Sequence, residues 1–368
     1  RVSDPASLGE RWRELEDRVD CSFFQSWTWT GCLAEERFPD PIVLKADRGG
    51  QTTAMALFNR RGSWLEPDRL WLGESGMPEL DAVFIEHNGL LAERRQRELL
   101  LQQCLSTALA APLEPARGGF GRRLVLSGVD ADHLRAAQAS GSVRLRRTHR
   151  APFVDCAAIR ARGSYLDVLS ANTRYQLRRS ARQYTAQGPL AIRRAETTAE
   201  AQGFLAALAA LHQQSWSRRG QAGAFANPRF LRFHRALIVR AMPERRVDLL
   251  RIGAGDAAIG YLYNFRFRNR VLAYQSGFDY RAAGPQQKPG LTAHHLAIEM
   301  YAAQGIESYD FLAGEDRYKL SLSTGATELH WLEVSPRWSA SGLLALVRRA
   351  AHRLGRGDAG GSAGTEPR

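Results

Sequence analysis

Apolar residues recur along this chain in two rhythms, one of three to four residues and one of two, and the rhythms alternate in a regular order. Leu8, Trp12 and Leu15 share one helical face, so the spacing predicts a helix over 5–19. Ser26 stands where it can cap a second helix carrying Trp27, Trp29 and Leu33. PIVLKAD (41–47) and QTTAMALFNRR (51–61), split by Arg48-Gly49-Gly50, read as a hairpin, and RLWLGES (69–75) as a third strand. After a loop containing Ile85-Glu86-His87-Asn88-Gly89, residues 92–111 return to helical spacing through Leu99, Leu100, Cys104 and Leu105. A strand over 123–127, a short helix over 130–139 and a strand over 143–155 follow.

The second half begins with a helix over 164–187, ended by Gly188-Pro189, and a strand over 190–194. Helices over 198–219 and 228–242 lead into a hairpin, VDLLRI (247–252) and AAIGYLYNFRF (257–267), which turns at Gly253-Ala254-Gly255-Asp256. VLAYQSGF (271–278) is its third strand, a helix covers 291–304, and strands lie at 308–312 and 329–334. Three antiparallel strands thus precede a helix twice, which predicts an α/β protein with two copies of one fold, each a mixed, mostly antiparallel sheet flanked by helices. The expected domains are 1–155, 156–340 with an inserted Arg-rich helix at 164–187, and 341–368 as a short helix and disordered tail without packing residues.

Composition narrows the partners. A length of 368 residues at 44% hydrophobic suits two domains with real cores. The 51 Lys and Arg against 38 Asp and Glu leave a net charge of +13, which fits an anionic partner (a phosphorylated cofactor, a nucleotide-activated substrate, RNA or an anionic membrane face) and equally an Arg- and Ala-rich chain set by biased genomic base composition. Cys21, Cys32, Cys104 and Cys156 are too scattered for a zinc or redox pair. No apolar run reaches the roughly 20 residues that span a bilayer, and RVSDPASLGERW is polar, so a soluble, cytoplasmic chain is expected.

Candidate chemistry concentrates between Val271 and Lys319. Gly277, late in its strand, marks either a bulge that frees backbone groups for an amide-containing ligand or a plain strand end before the loop. Between Tyr280 and Gly290 the loop offers Arg281, Gly284 and Lys288, and Pro289 suits a helix start, so unpaired N–H groups, basic side chains and the Thr292 hydroxyl together suit a diphosphate. His294 and His295 point about 100° apart on a helix and cannot share one metal ion as an i, i+4 pair does, so no metal is expected. In AGEDRYK, Glu315 and Asp316 supply a base, Tyr318 a proton donor and Lys319 a cation for a developing oxyanion; a solvated turn fits equally. Arg174, Arg178 and Arg182 recur every four residues beside Arg179 and Tyr175, as a solvated face or as a site for phosphate on a substrate or RNA. His212 sits one turn from Trp216, at a core edge.

NTRYQLRRSARQYTAQG, LHQQSWSRRG, AYQSGFDY and PGLTAHHLAIEMYAAQGIESYDFLAGEDRYK together resemble the FemAB-like branch of the GNAT acyltransferases, the CelD (BcsL)-type proteins. The matches span Ser164 to about Val334; the first half adds FQSWTW (24–29) and element order, and members of the group carry two GNAT-like domains in tandem. The resemblance implies N-acyl transfer to an amine of a sugar, nucleotide sugar or secondary metabolite. It places Lys288, Gly290, Leu291 and Thr292 at the cofactor diphosphate and Tyr274, Gln275, Ser276 and Gly277 along the acyl-thioester arm. Tyr318 and Lys319 fall near the reacting centre, and Arg174, Arg178, His212 and Trp216 are the candidates for the acceptor. The family's spaced-glycine phosphate signature is reduced here to Gly284 and Gly290, and FemAB-type relatives take aminoacyl groups from tRNA. The implied donor is therefore acyl-CoA, acetyl-CoA foremost, or alternatively aminoacyl-tRNA. A non-catalytic GNAT-like binding protein of exopolysaccharide assembly is the third reading; no DNA partner is expected.

Overall fold

In the computed structural model, which describes residues 5–63, 68–81, 83–114 and 121–337, α1 (Pro5–Arg18) and α2 (Trp27–Glu36) turn Trp12, Leu15, Trp27, Trp29 and Leu33 into a shared core. Ser26 caps α2, its hydroxyl accepting the Trp29 N–H. The chain then forms β1 (Pro41–Arg48) and β2 (Gln51–Arg61), whose hairpin turns through Gly49 and Gly50 at φ of 57° and 80°, values a side chain would strain. Next come β3 (Arg69–Leu72), the short β4 (Leu91–Ala92), α3 (Arg97–Ala110), β5 (Arg123–Val129), α4 (Ala131–Ser140) and β6 (Ser142–Asp155).

The second half comprises α5 (Cys156–Arg162), α6 (Ala171–Thr185), β7 (Leu190–Arg194), α7 (Thr198–Ser217), α8 (Pro228–Ala241), β8 (Val247–Ala254), β9 (Ala257–Phe267), β10 (Arg270–Phe278), α9 (Pro289–Ala303), β11 (Ser308–Asp310), α10 (Arg317–Leu322) and β12 (Gly325–Ser335). The α/β class and the recurring element order are as expected. Several element bounds differ, and α5 was not expected. The helix expected from residue 92 starts at Arg97, because Leu91 and Ala92 pair with β2 instead. The helix expected from 164 starts at Ala171, capped by Ser170, after a separate 3-10 turn at Tyr165–Val168. AGEDRYK, read as an irregular polar segment, leads into α10, which at six residues is too short to show a helical period. The tail expected over 341–368 lies outside the described residues.

Both halves contribute to one sheet, in the order β1-β2-β3-β5-β12-β6-β11-β10-β9-β8-β7, with β4 beside β2. The halves exchange their last strands. β6 pairs with β11, Asp155 opposite Ser308, while β12 pairs with β5, Val334 opposite Leu124. The two exchanged strands run antiparallel to each other from Ser142 opposite Ser335 to Phe153 opposite Gly325. Neither half closes its sheet alone, and the aromatic core also crosses between them, with Phe23 stacked 4.3 Å from Phe265.

The sheet opens beside β10. It pairs with β11 only through Arg270–Leu272 opposite Ser308–Asp310, yet β10 runs on to Phe278. The bulge expected at Gly277 lies instead at Tyr274: on the β9 side the register passes from Ala273 opposite Asn264 to Gln275 opposite Tyr263. Gly277 answers a different need. A Cβ there would stand 2.3 Å from the Leu208 carbonyl oxygen, so its absence lets the backbone of α7 pack on the strand. Among the described residues, no helix is long and apolar enough to cross a membrane.

Candidate active site

A cavity of about 460 Å³ fills the opening between β10 and β11. One wall is β10 from Ala273 to Phe278, whose edge toward β11 has lost its partner strand. Backbone N–H and C=O groups on such an edge need partners, and an extended ligand with amides can supply them. Tyr274, Gln275, Ser276 and Gly277 all line this wall.

The N-terminus of α9 forms the adjoining wall. Side chains cap α2, α4, α5, α6, α7 and α8, whereas α3, α9 and α10 have no side-chain cap; α9 starts from Lys288 with Pro289 in its first turn. The N–H groups of Gly290 and Leu291 have no carbonyl four residues back within the helix, and both residues line the cavity beside Lys288. The helix dipole adds positive potential at the same point. Thr292 does not reach the cavity lining: its hydroxyl lies 2.8 Å from Ser180 Oγ, which accepts the Lys288 N–H at 2.8 Å. The pair fastens α6 behind the wall.

Residues 311–319 close the far end. Lys319 is buried, its Nζ donating to the Ala313 carbonyl at 2.8 Å, with Asp316 Oδ2 at 4.0 Å. Burial pushes its pKa down, against the opposing pull of Glu86, Asp316 and Asp310. Burial pushes the Tyr318 phenol up, with Asp316 adding to the shift, so it stays protonated. Asp316, Tyr318 and Lys319 line the cavity; Glu315 is exposed and outside its lining.

Glu86 reaches this end from the first half. It is buried, lines the cavity, and accepts the Ala313 backbone N–H on Oε2. Burial raises its pKa, with the Ala313 N–H and Lys319 opposing. Next to it, His87 holds Nε2 3.0 Å from Asp310 Oδ2. Burial alone would depress His87, but the Asp310 and Glu86 carboxylates outweigh it and raise its pKa. The sequence reading passed over Glu86 because nothing in spacing ties position 86 to 319. The one local signal is an acid and a histidine at a sharp turn, where His87 takes a φ of 48°.

The remaining candidates divide. His212 and Trp216 line the cavity from α7, with ring centroids 5.7 Å apart, and burial helped by Arg219 lowers His212 to about 4, so it is neutral at pH 7. His294 also lines it, stacked on Tyr318 with Nδ1 2.9 Å from the Tyr309 hydroxyl, and burial lowers it to about 3. His295 turns the other way, onto Tyr165. Arg174 and Arg178 stand outside the cavity, on an outer face of α6 with Arg182 and the exposed Tyr175. Among the described residues, no cluster of three or more His, Cys, Asp or Glu is placed to hold a metal ion.

The chain is similar to known proteins in part of its sequence and in its fold. Residues 171–320 match the acetyltransferase (GNAT) domain family. Among solved structures, FemX matches with a TM-score of 0.60 at 8% identity, covering 88% of this chain and 95% of its own. The C-terminal domain of a putative lysylphosphatidylglycerol synthetase from Agrobacterium fabrum matches at 0.56 and 12% identity, covering 99% of this chain and 100% of its own. The L-PGS structure from Bacillus licheniformis matches at 0.53 and 8%, covering 94% and 96%. No curated protein sequence matches the chain.

Proposed function

We propose, from the match of residues 171–320 to the acetyltransferase (GNAT) domain family, that the protein is an N-acyltransferase carrying an acyl group from an acyl-CoA, or another acyl thioester, to an amine of a sugar, nucleotide sugar or secondary metabolite. The observation that carries the reading is the junction of an unpartnered β10 edge with an uncapped α9 N-terminus in one cavity wall. Those two features match the two chemical parts of an acyl-CoA. The amides of its arm would pair along Gln275 and Ser276, and its diphosphate would meet the N–H groups of Gly290 and Leu291 and the Lys288 ammonium. Tyr318, kept protonated by burial, would give its proton to the departing sulfur, and Lys319 would steady negative charge on the carbonyl oxygen.

Aminoacyl transfer from tRNA is the second reading. It is favoured by the face of α6 that presents Arg174, Arg178, Arg182 and Tyr175, and by the fold shared with FemX and the lysylphosphatidylglycerol synthetase domain. Calorimetry with acetyl-CoA, tRNA binding at rising salt, and mass spectrometry of transfer products separate the two. Acetyl-CoA binding with acetylation of an added amine supports the first. Salt-steep tRNA binding with no acetyl-CoA binding overturns it in favour of the second. Binding of either donor without turnover would leave a ligand-binding protein.

A further inference from the structure

We propose that Glu86, a residue of the first half, is the group that takes the proton from the acceptor amine in the cavity of the second half. The proposal rests on the acyl-transfer reading for its reaction, and on geometry for its residue. Glu86 lines the cavity at the end that also holds Tyr318 and Lys319. Its Oε2 is occupied by the Ala313 N–H, while Oε1 accepts no hydrogen bond from any described residue. A carboxylate so placed has one oxygen fixed and one left for a ligand.

The loop around Glu86 is held on every side. Asn88 donates to both β3 and β5: its backbone N–H goes to the Gly128 carbonyl at 2.9 Å, and its side-chain amide to the carbonyls of Leu72 and Ser127 at 3.0 and 3.1 Å. Gly128 has no side chain because a Cβ would stand 2.5 Å from the Ile85 carbonyl oxygen and 2.8 Å from the Glu86 Cα. Ser22 donates to the His87 carbonyl at 2.5 Å, and the His87 ring pairs with Asp310. A loop that served only to connect β3 to β4 would need none of this. Its effect is to hold a carboxylate rigidly in a cavity whose lining, apart from Phe84 and Glu86, belongs to the second half, the kind of support a reacting group requires.

In the reaction, Glu86 Oε1 takes one proton from the acceptor ammonium and frees the nitrogen lone pair. That pair forms the C–N bond while the carbonyl π pair moves to oxygen. Collapse of the oxyanion breaks the bond to sulfur, which leaves with its electron pair; the second nitrogen proton accounts for the neutral thiol, passed through Tyr318. Glu86 then returns its proton to water. Lys319, His87 and Asp310 are the charged groups that act on it from the neighbouring elements.

Two measurements test the assignment. In protein carrying 13C-labelled Glu side chains, the Glu86 carboxyl resonance is assigned by its loss in E86Q, or by its shift in E86D if E86Q does not fold. It should move saturably with n-butylamine and at least fivefold less with n-butanol; an indifferent resonance overturns the proposal, whatever the donor proves to be. In the acyl-transfer assay, E86Q should lower kcat by about 100-fold or more, leave the donor KM within twofold, and abolish the acid limb of the pH profile. Transfer by E86Q within threefold of wild type also overturns it. Absence of transfer by the wild-type protein from either donor defeats the acyl-transfer reading instead, and the amine titration still decides whether Glu86 is the ammonium site.

Discussion

Gly277 of β10 lies directly against Leu208 of α7, so close that a Cβ would stand 2.3 Å from the Leu208 carbonyl oxygen. The obstacle is backbone and cannot rotate away. Gly277→Ala should therefore push α7 off the sheet and cost about 3 kcal/mol, the upper range for overpacking. The same displacement would shift His212 and Trp216, which line the cavity from α7. Gly203, in the exposed interior of that helix, has nothing within 4 Å of a built Cβ. Gly203→Ala should stabilise by up to about 1 kcal/mol. Urea unfolding of the two variants checks both signs.

The His87–Asp310 pair joins the two halves, and its contribution should depend on pH. The folded-state pKa of His87 is raised, so its stabilisation is fully present below the unfolded value of about 6.5 and is lost as pH rises through the folded value. The stability difference between wild type and H87Q should accordingly be largest in mild acid and shrink above that range. Chemical denaturation at a series of pH values measures it; a difference that grows with pH would contradict the pairing.

Lys319 carries the opposite sign. Its folded pKa is lowered by burial, so the charged form is disfavoured in the fold, and the stability of wild type relative to K319M should rise as pH climbs from the folded value toward about 10.5. At neutral pH, K319M should melt no lower than wild type. Its rate of transfer should nonetheless fall by about 100-fold, as expected for loss of one group that stabilises an oxyanion. Unchanged turnover would remove Lys319 from the mechanism.

An acid placed at the start of α9 tests the donor wall. Gly290→Asp brings a carboxylate to a helix N-terminus, where it suits the dipole and should preserve or raise stability. Its Cβ would meet the Phe278 ring edge at 3.2 Å, a contact the ring can relieve by a few tenths of an ångström. Acetyl-CoA binding should weaken by at least about tenfold through charge repulsion, roughly 1.4 kcal/mol. Calorimetry with the variant reads both quantities, and unaltered affinity would move the diphosphate elsewhere.

Local pattern carried a large part of this protein into view. The apolar spacing of Trp12 and Leu15, the cap at Ser26, the glycine turn at 49–50 and the strand–loop–helix run from Val271 to Gly290 are written in neighbouring residues, because hydrogen bonding and burial within one element depend on positions only a few residues apart. The second half of the candidate site was legible for the same reason: Tyr274 to Gly277, Lys288, Gly290, Tyr318 and Lys319 lie on consecutive elements of one unit. What had no local trace was everything that crosses between the halves. The exchange of β6 and β12 depends on pairings between residues more than 150 positions apart, as does the ion pair of His87 with Asp310. Glu86 looks like any loop acid until the folded sheet brings it to the Ala313 N–H, and only the packing of α6 shows that Arg174 and Arg178 stand on its outer face and not in the cavity. Helical and strand periods encode which face of an element is apolar, but which elements then share a cavity is set by how the whole sheet closes.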